Sequence, residues 1–210
     1  MAFLHFLCVC SISSLAFAGL IDRGQDAADA LKYSKMEGFF RVEVFVDKLD
    51  TQGKSHTGLS CDIFDKCDPK VMCFIDTEKP NNDFGGDSVP YSNYVTLFDG
   101  NNVDIPQISQ SISRDVCGKA PRKIAIRCRA IDKDGINDDK IDNYKWHLTS
   151  DKYKVAQNEQ ASEWSAEIAI PGEDRPSSKI YVKARMYSIP ETQCRPSTNG
   201  QGLFSGLFSK

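Results

Sequence analysis

Two stretches of the chain carry an unusual density of carboxylates. Residues 61–69 read Cys-Asp-Ile-Phe-Asp-Lys-Cys-Asp-Pro, and residues 132–142 read Asp-Lys-Asp-Gly-Ile-Asn-Asp-Asp-Lys-Ile-Asp. Crowded carboxylates repel one another unless a cation neutralises them, and calcium takes about six to eight oxygen ligands. A single aspartate is more often a turn residue, because its side chain bonds nearby backbone groups. Taken together, however, the two stretches are candidate calcium-binding loops.

The second stretch could belong to an EF-hand calcium loop, but the position of its glycine does not fit that motif. The EF-hand loop needs a glycine at its sixth position for a sharp turn between two helices. Gly135 is fourth counting from Asp132, and the flanking segments have the alternating pattern of strands. We therefore exclude an EF-hand.

At these residues the chain resembles the C2 domain family of calcium- and phospholipid-binding modules. That family places an aspartate six positions before an Asp-Pro pair, as Asp62 and Asp68-Pro69 stand in this chain. Its second signature is Asp-x-Asp after a strand, then a short polar loop and further aspartates, as in residues 132–139. The resemblance implies a sandwich that binds calcium at one end. The implied ligands are Asp62, Asp68, Asp132, Asp134 and Asp139, with Asp138 as a further candidate.

The chain departs from the family pattern in its second loop. This loop is about one residue shorter than usual, so Asp138 and Asp139 are alternatives for the last ligand position. Asp142 stands where the family usually has glycine. The ligand set therefore stays open at one position.

Alternating apolar and polar residues predict the strands that position these loops. In residues 40–46, Phe40, Val42, Val44 and Val46 alternate with other residues, which is the period of a strand with one buried face. Gly, Pro, Asn and Asp clusters separate the segments. The predicted strands are 40–46, 71–75, 94–98, 103–108, 123–131, 144–148, 164–170 and 180–186. We predict an all-β fold, an eight-stranded antiparallel β-sandwich at residues 38–190.

The two ends of the chain differ from this pattern. Residues 3–18 are apolar and finish in Ala16-Phe17-Ala18, which predicts a cleaved signal peptide at 1–18 and a secreted protein. Residues 19–37 are a leader, either a short helix or a flexible segment, and 191–210 are a flexible tail rich in Gly and Ser. No later stretch is long and apolar enough to predict a transmembrane segment in the mature chain.

Six cysteines follow the predicted signal peptide. An even number in an exported chain indicates disulfides, and up to three can form. The pairing stays open, although Cys61 and Cys67 are close enough in sequence to form a disulfide that closes one loop. A zinc site is not favoured, because neither the cysteine spacing nor the two later histidines form a recognisable ligand set.

A second, looser resemblance accounts for export and cysteines together. The amino-terminal module of Notch ligands is an extracellular C2-like sandwich. Its first strand is similar to the segment Gly38 to Glu43, and its cysteine arrangement is similar to the cysteines at 61, 67 and 73. This resemblance implies a secreted, disulfide-stabilised protein-interaction module without functional calcium binding.

Charge and motifs narrow the remaining function classes. The formal net charge of −3 is small and its charges are interspersed, so we expect no nucleic-acid partner. Serine-hydrolase, zinc-protease, phosphate-loop and dinucleotide motifs are absent from the sequence, so we do not predict an enzyme. Our first hypothesis is a secreted calcium-binding module that binds anionic phospholipid or an extracellular protein through its acidic loops. The alternative is the interaction module without calcium.

Overall fold

The computed structural model describes residues 37–62, 65–85, 89–119, 123–134, 138–149 and 154–195, and the backbone of 203–204. The predicted signal peptide and the leader up to residue 36 lie outside the described residues. The strands are β1 (Glu37–Asp50), β2 (Pro69–Asp76), β3 (Val95–Asp99), β4 (Gln107–Lys119), β5 (Lys123–Asp132), β6 (Asp139–Thr149), β7 (Val155–Ala156), β8 (Ile168–Pro171), β9 (Lys179–Ser188) and β10 (Leu203–Phe204).

These strands form two sheets. One has the order β10-β4-β1-β9-β7 with β8 also paired to β9, and the other has the order β3-β2-β5-β6. All neighbours are antiparallel except β7 and β9. The described residues contain two short 3₁₀ turns, Tyr91–Asn93 and Glu191–Gln193, but no α-helix. The predicted all-β sandwich is confirmed.

Apolar residues of both sheets meet in one core. In β1, Val42, Val44 and Val46 are fully buried, as the period-two pattern predicts. Ile126 of β5 and Val182 of β9 are also fully buried in the same cluster. Burial of such apolar surface is the main favourable contribution to folding, so this core fixes the positions of the strand ends.

All six cysteines of the described residues are paired. Cys61 bonds to Cys67 beside the first acidic stretch, and Cys73 of β2 bonds to Cys128 of β5 inside the core. The third disulfide joins Cys117, near the end of β4, to Cys194 in the predicted tail. The start of that tail is therefore attached covalently to the sandwich.

Two strands predicted from the sequence are placed wrongly. Residues 103–106 are a loop, in which the Val103 amide donates to the Cys67 carbonyl, and β4 instead begins at Gln107. The segment 164–167 precedes β8, which begins at Ile168. Polar residues explain why most of β4 lacks the alternating pattern: Asp115 is buried in it, and its carboxylate accepts hydrogen bonds from Arg41 of β1.

The antiparallel order gathers the acidic loops at one end of the sandwich. The end of β5 lies beside the start of β2, where Asp132 and Pro69 are register partners. The loop between β3 and β4 reaches the same place, because the Gly100 amide donates to the Pro69 carbonyl. We call this the acidic end. Among the described residues, no helix has the length and apolar character needed to cross a membrane.

Candidate metal centre

Three of the predicted ligands converge at the acidic end. Asp62, Asp132 and Asp134 each offer a carboxylate oxygen, and these oxygens all lie within 4.8 Å of one another. Calcium binds oxygen at about 2.3–2.6 Å, so oxygens up to about 5 Å apart can share one ion. We call these three residues the acidic cluster.

Asp132 is the buried member of the cluster. Its Oδ1 accepts a hydrogen bond of 2.5 Å from the Asp68 amide, whereas its buried Oδ2 has no hydrogen-bond partner among the described residues. Burial raises the pKa of Asp132 to about 6, although the bond from Asp68 lowers it. An ionised, buried and unpaired carboxylate oxygen is costly without a cation, so this donor set fits a metal ion.

Asp134 is exposed, but its surroundings are strongly negative. Partial burial and the charges of Asp62, Asp139, Asp68 and Asp138, in that order, raise its pKa above the usual value. All six predicted positions therefore lie within electrostatic reach of one point. A divalent cation placed there would relieve the repulsion.

The other three predicted residues surround the cluster without joining it. Asp68 Oδ1 accepts a hydrogen bond of 2.6 Å from the amide of Asn102. Asp139 is the register partner of Asp132 across β5 and β6, and Asp138 precedes it with an exposed side chain. The structure brings Asp62, Asp132 and Asp134 together and leaves the roles of these three as predictions.

A third loop at the acidic end was not predicted from the sequence. Asn102 has a φ of 55° and presents its amide to Asp68, and the Lys133 ammonium forms an ion pair with Asp99 and a 3.3 Å hydrogen bond to Asn101. Lys133 stands between Asp132 and Asp134 in the sequence, but its side chain bonds to this third loop and not to those two aspartates. The sequence does contain a signal for this loop, because residues 99–102 read Asp-Gly-Asn-Asn, a composition typical of turns.

The disulfide between Cys61 and Cys67 constrains the first acidic stretch. It closes a ring that contains Asp62, and its Cys67 end is fully buried. The Cys67 amide also donates to the Asp104 carboxylate at 3.3 Å. Asp62 is therefore held between a covalent link and the start of β2.

Asp142, the residue that departs from the family pattern, is a structural brace. It is fully buried, and its carboxylate accepts hydrogen bonds from the amides of Asn143, Asp174 and Arg175 at 2.8, 3.0 and 2.9 Å. A Cβ atom on Gly172 would lie 2.1 Å from Asp142 Oδ2, so the glycine makes room for this carboxylate.

The side chain of Arg175 extends the brace to the loop after β1. Its guanidinium donates to the carbonyl oxygens of Thr51, Lys54 and Ser55 at 2.8, 2.5 and 2.8 Å. That loop runs on to Cys61 and Asp62. Asp142 thus supports the acidic cluster through the backbone without contributing to it.

The chain is similar in sequence and in fold to a solved structure. A crystal structure of a C2 domain protein from Ramazzottius varieornatus is 68% identical, with a TM-score of 0.76 over 79% of this chain and 98% of that one. Human GIVD cytosolic phospholipase A2 is 10% identical, with a TM-score of 0.51 over 74% of this chain and 17% of that one, a likeness of fold alone. No family model and no curated protein matches the chain. The resemblance to Notch ligands is not shown by these comparisons.

Proposed function

The chain belongs to the C2 domain family, and from this premise we propose that it is a secreted calcium-binding module whose acidic end meets anionic phospholipid. The proposal is a binding function without a catalytic step. The observation that carries it is the acidic cluster, in which the unpaired Oδ2 of Asp132 lies beside Asp62 and Asp134.

One calcium ion would compensate two of the three negative charges of the acidic cluster and would leave coordination positions free for another ligand. Three carboxylates supply part of the roughly six to eight oxygens that calcium needs. Water or an anionic oxygen fills the rest, and the phosphate of a lipid head group is such an oxygen. The same ion would thus relieve repulsion inside the protein and attract an anionic surface.

Two exposed apolar residues at the acidic end support a membrane partner. Leu59, in the loop after β1, is 71% exposed, and Ile105, in the loop before β4, is 50% exposed. Their loops are held at this end by bonds from the His56 amide to the Lys140 carbonyl and from the Thr51 amide to the Asp104 carbonyl. Once calcium lowers the negative charge of this end, these side chains can enter the head-group region of a bilayer.

The disulfides support the secreted location. All six cysteines that follow the predicted signal peptide are paired, and such bonds persist in oxidising compartments. Extracellular calcium modules bind with dissociation constants of about 10⁻⁴ to 10⁻³ M. A site of that strength stays filled outside the cell, and its lipid partner would be an outer leaflet or an extracellular vesicle.

Calorimetric titration of the disulfide-intact protein with calcium tests the metal site. We expect saturable heat in the millimolar range or below, loss of that heat in the Asp132→Asn/Asp134→Asn double variant, and wild-type behaviour in Asp83→Asn. Asp83 is a matched control, because its side chain is 94% exposed and pairs with Lys145 away from the cluster. Absence of heat from the wild type at millimolar calcium would contradict the proposal.

Vesicle sedimentation tests the lipid partner. Vesicles of phosphatidylserine and phosphatidylcholine should bind the protein in calcium and release it when calcium is chelated. Vesicles of phosphatidylcholine alone should bind much less. Equal binding with and without calcium would separate membrane binding from the metal site and contradict the proposed mechanism.

A further inference from the structure

A cavity of about 490 Å³ lies far from the acidic end. Leu148 lines it near one end of β6, and Asp139 begins the other end of the same strand. At a rise of about 3.3 Å per residue, the two are about 30 Å apart. The cavity is therefore separate from the candidate metal centre, and its volume is in the range of small-molecule sites.

The floor of this cavity is apolar and belongs to both sheets. Leu148 of β6 and Ala184 and Met186 of β9 line it and are almost fully buried. Because β6 is an edge strand of one sheet and β9 lies near the edge of the other, the cavity lies where the edges of the two sheets meet. An apolar chain that lies against this floor would gain dispersion contacts with it.

One wall of the cavity is the segment that precedes β8. The Ser165 amide donates to the Ala184 carbonyl at 2.9 Å, and the Ala184 amide donates to Ser165 Oγ at 3.1 Å. Trp164 also lines the cavity, and its ring packs against the Arg185 guanidinium at 4.6 Å and the Phe45 ring at 6.0 Å. These contacts fix the wall in place before any ligand arrives.

Among the residues that the structure describes, the rim carries one unpaired charge of each sign. Lys154 and Glu163 line the cavity and are exposed, and neither forms an ion pair with any residue that the structure describes. The third charged lining residue, Arg185, is already paired with Glu43 and Glu159 at 2.6 and 3.0 Å. A ligand therefore meets an available cation and an available anion above an apolar floor.

We propose that this cavity binds a zwitterionic amphiphile, with its apolar chain against the apolar floor and its charged head between Lys154 and Glu163. A head with one charge would be attracted by one rim residue and repelled by the other. A head with both charges gains both attractions. This inference does not depend on calcium binding.

A series of ligands with the same decyl chain tests the proposal by calorimetry on the full mature protein. Decylphosphocholine carries both charges, decyl sulfate only the negative one and decyltrimethylammonium only the positive one. Below the critical micelle concentration, we expect one molecule of decylphosphocholine to bind per protein and to bind more tightly than either analogue. Equal affinity for the three ligands, or no binding of decylphosphocholine, would overturn the proposal.

Variants locate the site. Lys154→Gln and Glu163→Gln should each weaken decylphosphocholine binding about twofold to fivefold, the effect of removing one exposed charge pair. Lys66→Gln and Glu191→Gln are matched controls, because both residues are exposed and neither lines the cavity. Wild-type affinity in both rim variants would overturn the proposed head-group position.

A further variant tests where the decyl chain of the ligand lies, without disturbing the protein core. Ala161 is exposed and lines the cavity, so Ala161→Phe should narrow the mouth and weaken all three decyl ligands while the midpoint of thermal unfolding is unchanged. Fluorescence of Trp164, measured in a Trp146→Phe background, should change when decylphosphocholine binds. An unchanged affinity in Ala161→Phe would show that the ligand binds elsewhere and would overturn the proposal.

Discussion

The backbone amide of Asp68 donates a hydrogen bond to the carboxylate of Asp132 at 2.5 Å. A second bond, from the Lys133 amide to the Asp68 carbonyl at 3.1 Å, joins the same two loops. Two acidic stretches far apart in sequence are therefore one structural unit. Asp132 is held in position by its neighbour's backbone, with its second oxygen left without a partner among the described residues.

Replacing Asp132 with Asn should stabilise the calcium-free protein and remove its response to calcium. The amide oxygen can still accept the bond from Asp68, whereas the buried negative charge is gone. At pH 7.5, with calcium chelated, we expect the midpoint of thermal unfolding to rise by about 2–4 °C, the shift that ~1 kcal/mol makes in a domain of this size. Scanning calorimetry with and without calcium measures both effects.

Asp83→Asn is the control for this prediction and should change neither midpoint. A lower midpoint in calcium-free Asp132→Asn would mean that the buried carboxylate stabilises the fold without an ion. Repulsion within the acidic cluster would then not be what calcium relieves.

Removing the disulfide between Cys61 and Cys67 should weaken calcium binding. The ring they close contains Asp62, and an open loop must be ordered when the ion binds. For Cys61→Ser/Cys67→Ser we expect an affinity about tenfold lower, which corresponds to ~1.4 kcal/mol. Cys117→Ser/Cys194→Ser is the matched control, since it removes a disulfide and should leave the calcium titration unchanged.

Breaking the buried ion pair of β5 should destabilise the sandwich. The Arg127 side chain is fully buried and donates to Asp76 at 2.7 Å and to the carbonyl oxygens of Lys79 and Asn82. Arg127→Met leaves the buried charge of Asp76 without its ion-pair partner, although Oδ1 still accepts hydrogen bonds from the amides of Glu78 and Lys79, and the expected cost is about 3–5 kcal/mol in the free energy of unfolding. Urea denaturation measures this cost.

Arg129→Met is the comparison variant for the same strand. Arg129 lies over the Tyr91 ring at 4.1 Å and is only partly buried, so its loss should cost about 1 kcal/mol or less. Similar costs for the two variants would contradict a special role for the pair between Arg127 and Asp76.

His147 should make the protein less stable in mild acid. Burial lowers its pKa below the ordinary 6.5, and the charges of Lys123, Lys145 and Arg127 lower it further, against a hydrogen bond to the Pro80 carbonyl. Between the lowered value and about 6.5 the unfolded chain binds more protons than the folded one. The contribution of His147 is therefore complete above about pH 6.5 and is lost as the pH falls through the lowered value.

His147→Gln isolates this effect, because a glutamine amide can still donate to the Pro80 carbonyl. Urea denaturation at pH 7.5 and pH 5 should show a smaller loss of stability in the variant than in the wild type. An equal loss in both proteins would assign the acid sensitivity to other groups.

Leu59 and Ile105 should strengthen membrane binding without affecting the metal site. The double variant Leu59→Ser/Ile105→Ser removes the apolar surface exposed at the acidic end, and each buried methylene contributes about 0.8 kcal/mol. We expect affinity for phosphatidylserine vesicles to fall at least tenfold, the ~1.4 kcal/mol of about two buried methylenes, and the calcium titration to stay at its wild-type value. An unchanged vesicle affinity would exclude insertion of these side chains.

The architecture could be predicted where burial follows local alternation. Val42, Val44 and Val46 alternate in the sequence and are buried in the core. Most of β4 could not be predicted this way, because Arg114 and Asp115 occupy it and are buried. Their charges are compensated by Glu78 and Arg41, partners from other parts of the chain that a local pattern does not show.

The candidate site could likewise be predicted only in part from the sequence. The resemblance implied Asp62, Asp132 and Asp134 as ligands, and the structure brings them together. The bond between Asp68 and Asp132 depends on strand register, which the sequence pattern did not specify. The role of Asp142 was also hidden, because two of its donors are more than thirty residues away.

The contact between Asp142 and Gly172 also limits how this chain can vary. A carboxylate at position 142 requires glycine at 172, because any larger residue there would overlap Oδ2. Removing that carboxylate would not by itself make room for a side chain at 172, because a Cβ there would also lie 2.7 Å from the Arg175 carbonyl oxygen, and the amides of Asp174 and Arg175 would need another acceptor. Position 172 should therefore stay glycine among relatives that keep this loop, even where position 142 has lost its carboxylate.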